Sequence, residues 1–293
     1  MFSPVTKHPV RSLLVAALAG CLACGAAAPA QAADNADPGY QIKLQLQGAL
    51  VVDPATGEPT DAAAQALEIE GVDEVQHVQY VDDADASLFD AGWTLRVRRD
   101  EGDDKLKLTY KARFDIDGTM TDKDSIEDAL DDANDNNFDA SDDNYEAQVN
   151  MSYSRATLDF SNTKKVDATS VTDGVLPDLA ETRNILIDKL PGKMEGLGPS
   201  KTWAESVLDD AKIYGPLTLT AYTATIGDVD ATVEITPMAG GTDGSGYYVE
   251  VSADADTFSD AIDARAELLS ELTADGFLRP VDAFKTGTVL ENY

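Results

Sequence analysis

A central hairpin carries basic residues at every second position of both strands, and this pattern constrains the fold more than any other part of the chain. Residues 93–99 and 105–114 alternate between polar and apolar side chains, and turn-forming residues separate them. Because side chains on a β-strand alternate between its two faces, such strands form a sheet with one cationic and one apolar face. A cationic face can hold phosphate groups through charge-assisted hydrogen bonds. The alternating basic residues are Arg96, Arg98, Lys107 and Lys111.

The remaining chain predicts more strands than helices. Alternating segments such as residues 40–46 and 217–226 are bounded by Gly, Pro and Asp. The pattern favours an α+β fold of antiparallel strands with helices packed outside. The clearest helix is capped by Asp256 or Thr257 and ends at Gly276. Residues 277–280 and 284–289 are predicted to finish the sheet.

The order of residues around the hairpin resembles the CYTH domain, the triphosphate tunnel family. Members of that family often read Tyr-x-Asp-Thr, then a Leu, a Gly, Leu-Arg-x-Arg and a strand ending in Lys. A weaker match continues near Lys285. The resemblance implies that residues 40–293 form one antiparallel β tunnel, a CYTH-like barrel with helices outside, which binds a phosphate-bearing small molecule. The matching residues are Tyr80, Asp82, Leu88, Gly92, Arg96, Arg98 and Lys111.

The resemblance also implies which residues bind the phosphates. The basic face of the hairpin forms one wall of the tunnel, and a Lys near each end of the chain closes it. Several cations together can neutralise the charge of a polyphosphate. The predicted phosphate-binding residues are Arg96, Arg98, Lys107, Lys111, Lys43 and Lys285.

Family members hold Mg²⁺ or Mn²⁺ on acidic strands, and this chain departs from them. Where the family carries Glu-x-Glu-x-Lys, the first strand has Gln41, Lys43 and Gln45, and an amide is a poorer ligand for these ions than a carboxylate. The departure favours a protein that binds a phosphate-bearing polyanion or polyphosphate without efficient turnover. Two alternatives remain: a structural or interaction protein, and a metal-dependent triphosphatase with a rebuilt metal site. The carboxylates available for that site are Glu146, Glu234 and Glu250.

Residues 115–144 are rich in Asp and Asn and predict an acidic loop with a short helix near its middle. Asp132, Asn134 and Asn136 match the Asp-x-Asn-x-Asn opening of a calcium loop. The positions that such a loop reserves for Gly and for a bidentate Glu hold other residues. A metal-free acidic loop and a Ca²⁺ site are both compatible with this segment.

The N-terminal 32 residues predict a secretory signal peptide. A basic start, an apolar run and small residues at positions 30 and 32 are typical of such a peptide, with cleavage after Ala32. Residues 33–39 then form a polar leader. The alternative is lipid attachment at Cys21, because residues 18–21 resemble a bacterial lipobox. Cleavage gives a secreted protein, whereas a lipid would make it a lipoprotein at the outer face of the membrane.

The composition argues against several partners and chemistries. The chain has 54 acidic and 22 basic residues and a net charge of −32, which does not suit binding to nucleic acid or to an anionic membrane surface. It contains two His and two Cys, and it carries neither a glycine-rich nucleotide motif nor a cysteine cluster for zinc. The basic hairpin is therefore the best candidate for a binding site in an otherwise acidic chain.

Overall fold

Nine strands close into a single barrel in the computed structural model. The structure describes residues 33–167, 176–239, 241 and 243–293. The order around the barrel is β1, β5, β6, β4, β3, β2, β7, β8 and β9, and β9 pairs back with β1. The strands are β1 (Gly39–Gln45), β2 (Gly71–Asp82), β3 (Trp93–Asp100), β4 (Lys105–Asp115), β5 (Glu146–Met151), β6 (Ala156–Asp167), β7 (Lys212–Ile226), β8 (Val229–Pro237) and β9 (Tyr247–Ala255).

Helices connect the strands and cover the outside of the barrel. Apolar residues on the outer faces of the strands form one continuous core with most of these helices. Neighbouring strands run antiparallel, with the exception of β1 and β5, which run parallel. The predicted α+β barrel is therefore confirmed, with one parallel pair added. The helices are α1 (Gly48–Val51), α2 (Asp61–Ala66), α3 (Ser87–Asp90), α4 (Lys123–Asp135), α5 (Leu179–Asp188), α6 (Gly192–Glu195), α7 (Trp203–Asp210), α8 (Phe258–Ala274) and α9 (Lys285–Asn292).

The corner between β2 and β3 is built by residues that carried the family resemblance. Asp82 is buried, and its carboxylate accepts backbone N–H bonds from Leu88 at 3.0 Å and Phe89 at 2.9 Å. Gly92 follows with a φ of +80°, a left-handed conformation that favours glycine. Its carbonyl accepts the N–H of Arg113 at 2.8 Å. These residues set the start of β3 against β4, which carries the other half of the cationic face.

The C-terminal helix α9 lies inside the barrel, and the prediction of a strand over residues 284–289 is wrong. Val289 of α9 packs with Val78 and Leu217 in a second, smaller apolar cluster. These two residues belong to the inward faces of β2 and β7, where they pair in register. Burial of Val289 against this inner wall favours the helix over the predicted strand.

The acidic segment contains a longer helix than predicted, and the calcium-loop interpretation is wrong. Helix α4 covers Asp132 and Asn134, so these residues cannot adopt the loop conformation that a calcium site requires. The amide of Asn134 donates to the Ala33 carbonyl at 2.9 Å, and the amide of Asn136 donates to the Asp132 carbonyl at 2.8 Å. These groups stabilise the helix and dock the leader onto it.

The predicted signal peptide and the alternative lipid attachment at Cys21 lie in residues 1–32, outside the described residues. Among the residues that the structure does describe, none of the helices combines the length and apolar character needed to cross a bilayer.

Candidate functional site

A cavity of about 80 Å³ lies inside the barrel, and we call it the central cavity. Side chains from β1 to β6 and β9 line it, together with the segment that leads into α9. Its charged lining is mostly cationic, although the chain as a whole carries a net charge of −32. The charged residues of the lining are Lys43, Arg96, Lys111, Arg113, Lys285 and Glu250.

Arg96 points into the central cavity without a partner for its inner nitrogen. Its Nε is buried and has no hydrogen-bond partner among the described residues. Arg96 stands opposite Tyr80 on β2 and Thr109 on β4, and neither side chain carries a charge that could pair with it. A buried donor that makes no hydrogen bond costs about 1–3 kcal/mol. The guanidinium is therefore suited to an anion that enters the cavity.

Lys43 enters the same cavity from β1. Burial, the largest effect, lowers the pKa of Lys43 to about 8. Repulsion from Lys111 and Lys285 contributes to this lowered pKa, whereas Glu250 and Asp159 partly oppose it. The ammonium group is therefore poorly compensated by the protein at neutral pH, and an additional anion would stabilise it.

Lys111 and Arg113 share a buried carboxylate. The Lys111 Nζ lies 3.0 Å from Asp159, and Arg113 donates two hydrogen bonds to the same carboxylate at 2.8 and 3.0 Å. Burial alone would raise the pKa of Asp159, but its two cationic partners outweigh burial and hold the pKa well below its usual range. Two cations against one anion leave this group with a net positive charge. Sequence reasoning missed Arg113, although the alternation that marks Lys107 and Lys111 continues to it.

Arg98 and Lys107 do not line the central cavity, although both were predicted to bind phosphate. They form ion pairs with Asp100, and the Arg98 Nε lies 3.1 Å from that carboxylate. The predicted set therefore divides in two. Lys43, Arg96, Lys111 and Lys285 meet in the cavity, whereas Arg98 and Lys107 lie further along the same strands and are already paired.

A pair of glutamates faces these cations from β8 and β9. Glu234 and Glu250 stand directly opposite each other in the strand register. The Nζ of Lys285 lies 2.5 Å from Glu234 and 3.8 Å from Glu250. Burial raises the pKa of Glu250, but Lys285 and Lys43 outweigh burial and leave the pKa below its usual value. Both carboxylates of this pair are therefore in contact with a cation of the chain itself.

The described residues do not fit the divalent metal that the family resemblance implies. Glu146 is exposed near the start of β5 and borders a shallow surface depression beside Lys164, so it does not join Glu234 and Glu250. Within the described ranges, no three Asp, Glu, His or Cys side chains come together where they could hold a metal ion. The remaining pair, Glu234 and Glu250, is in contact with the ammonium group of Lys285. We therefore assign no reaction step to a metal.

The chain matches no protein-family model and no curated protein sequence. Among solved structures, it is similar to an adenylyl cyclase candidate from Hippeastrum that has a dominant triphosphatase activity, at 12% identity and a TM-score of 0.46, over 86% of this chain and 99% of that one. It is also similar to an adenylate cyclase candidate from Bacillus halodurans, at 8% identity and a TM-score of 0.44, over 87% and 97%. TM-scores this low carry no functional argument, so the proposed function is argued from the residues inside the barrel.

Proposed function

We propose that this chain is an exported CYTH-like protein that binds a small phosphate-bearing polyanion in its central cavity without efficient turnover. The observation that carries the proposal is the buried Arg96 Nε, which has no partner among the described residues and lies in a cavity lined by four other cations. A phosphate oxygen is a strong acceptor for such a donor. The chain has a net charge of −32, so a cluster of cations in one cavity supports a role in binding an anion.

The size of the cavity restricts the ligand. A volume of about 80 Å³ accommodates roughly six water molecules at ~10–15 Å³ each. That space suits one or two phosphate groups, whereas a whole nucleotide would require α9 to move. The proposed ligand is therefore a short inorganic oligophosphate or the phosphate end of a longer molecule.

The contacts of the carboxylates support binding without turnover. Asp159 is already shared by Lys111 and Arg113, and Glu234 is held by Lys285. Glu250, which lines the cavity, hydrogen-bonds with the hydroxyl of Tyr248 and lies 3.8 Å from Lys285. The alternative of a metal-dependent triphosphatase is favoured by one observation, the register of Glu234 opposite Glu250. It would require Lys285 to leave that pair.

Calorimetry with tripolyphosphate and pyrophosphate tests the proposal. We expect saturable binding by the wild type and a loss of at least tenfold in Arg96→Ala, because a hydrogen bond to a charged group contributes about 1.5–3 kcal/mol. Lys201→Ala is the matched control, since Lys201 is an exposed cation away from the cavity. Equal binding by the wild type and Arg96→Ala would remove Arg96 from the site. Metal-dependent release of phosphate, abolished by Glu250→Gln, would establish the enzyme instead.

A further inference from the structure

The carboxylate pair on β8 and β9 needs a cation close to it. Glu234 and Glu250 are opposite neighbours in the register, and their side chains are 20% and 10% exposed. Two carboxylates at this spacing and burial repel each other unless a positive charge compensates them. In many proteins a divalent metal provides that charge, and here a part of the chain does so.

Lys285 is delivered to this pair by a rigidly held element. It is the first residue of α9, and Val289, one turn further along, is buried in the apolar cluster inside the barrel. The preceding residue, Phe284, lies under the guanidinium of Arg113, whose Cζ is 5.0 Å from the ring centroid. The helix is therefore anchored on both sides of Lys285, and its ammonium group is placed by the fold rather than by a flexible side chain.

The other contacts of the two carboxylates include hydrogen bonds with neighbouring hydroxyl groups, which supply no charge. The hydroxyl of Tyr248 lies 2.8 Å from Oε2 of Glu250, and the hydroxyl of Thr236 donates to Oε1 of Glu234 at 2.9 Å. These hydroxyls orient the carboxylates, and Lys285 is the cation in contact with both of them.

We propose that Lys285 is a resident counter-ion that takes the place of a divalent metal at the Glu234–Glu250 pair, so that the tunnel binds its phosphate ligand without metal. The claim that the tunnel binds phosphate without metal rests on the proposed function. The claim that Lys285 replaces a metal at the Glu234–Glu250 pair is independent of it. Removal of the ammonium group should uncover a divalent site that the native chain hides.

Titration with Mn²⁺ alone, followed by the electron paramagnetic resonance of the free ion, tests the replacement on the full chain. Because the acidic surface also binds Mn²⁺, Glu250→Gln serves as the reference for that background. We expect the wild type and Glu250→Gln to take up equal amounts. Lys285→Met should take up one further equivalent, and Lys285→Met with Glu250→Gln should lose it. A wild type that binds one more Mn²⁺ than Glu250→Gln would overturn the proposal, as would a folded Lys285→Met that gains none.

A second measurement uses the wild type alone and remains valid if Lys285→Met fails to fold. Tripolyphosphate binding is measured by calorimetry in EDTA and in millimolar Mg²⁺. We expect full affinity in EDTA and weaker apparent binding in Mg²⁺, which competes for the free ligand in solution. Binding that is at least tenfold tighter in Mg²⁺ would overturn the proposal. An absence of tripolyphosphate binding in both conditions would overturn metal-free binding and the proposed function, while the Mn²⁺ titration still decides the role of Lys285.

Discussion

Replacing Lys43 with Met should make the protein more stable and a weaker binder. Burial in the barrel lowers the pKa of Lys43 from 10.5 to about 8. At ~1.4 kcal/mol for each pH unit, keeping this ammonium group charged in the folded state costs about 3 kcal/mol. Met has a similar length and no charge, so it avoids this cost. We therefore expect the free energy of unfolding at pH 7 to rise by up to about 3 kcal/mol in Lys43→Met.

The pH dependence follows from the direction of the shift. The unfolded chain binds the Lys43 proton more tightly than the folded chain does, so the cost is complete below about pH 8 and disappears as the pH rises to the unfolded value of 10.5. Urea unfolding of the wild type and Lys43→Met at pH 7 and at pH 10.5 measures this. The difference in the free energy of unfolding between Lys43→Met and the wild type should be largest at pH 7 and small at pH 10.5.

The same residue should couple ligand binding to proton uptake. A bound phosphate compensates the ammonium and raises its pKa, so near pH 8 the wild type should take up about half a proton for each ligand bound. Calorimetry in two buffers with different ionisation enthalpies measures this uptake, which should be smaller in Lys43→Met. Lys201→Met is the control and should change neither property. A Lys43→Met variant that is no more stable than the wild type at pH 7 would refute the reasoning about burial.

Further predictions concern the cavity, the corner between β2 and β3, the surface charge and the N-terminus. Asp159→Asn leaves two buried cations without their shared carboxylate and should cost about 3–5 kcal/mol in urea unfolding; a change below 1 kcal/mol would contradict the ion-pair assignment. Asp82→Ala removes the acceptor for the N–H groups of α3 and should cost about 1–2 kcal/mol by thermal melting. NaCl should raise the melting temperature by screening the net charge of −32, and Ca²⁺ at equal ionic strength should add nothing further. Mass spectrometry of the native protein should find Ala33 at the N-terminus, and a diacylglycerol on Cys21 would show a lipoprotein instead.

Many of the strands and helices could be predicted from the sequence because the patterns that indicate them are local. The side-chain period of two identified β3 and β4 and placed Arg96 and Lys111 on one face. Helix α8 could also be predicted, because its two ends carry typical signals. Thr257 caps its start, and Gly276, with a φ of +78°, follows its end. These features depend on neighbours within a few residues and not on the rest of the barrel.

The missed features depend on contacts between distant parts of the chain. Helix α4 is stabilised by Ile126 and Leu130, which pack against the barrel, whereas the surrounding Asp and Asn residues suggested a loop. Helix α9 forms inside a space that exists only once the strands have closed around it. The partners of the cations were also hidden, because Asp159 lies on β6, 48 residues from Lys111. Sequence therefore identified the charged residues, but not which of them were already neutralised.

The pairing of β1 with both β5 and β9 has a consequence for how the chain folds. Gly39–Gln45 finds its antiparallel partner in Tyr247–Ala255, almost the whole length of the chain away. Joining elements so far apart in sequence carries a large loss of chain entropy, so the closing of the barrel should be the slow, late step of folding. Until it occurs, β1 and β9 each present an unpaired edge, which is a surface prone to aggregation. Shortening the chain into either strand would open the barrel and leave those edges exposed permanently.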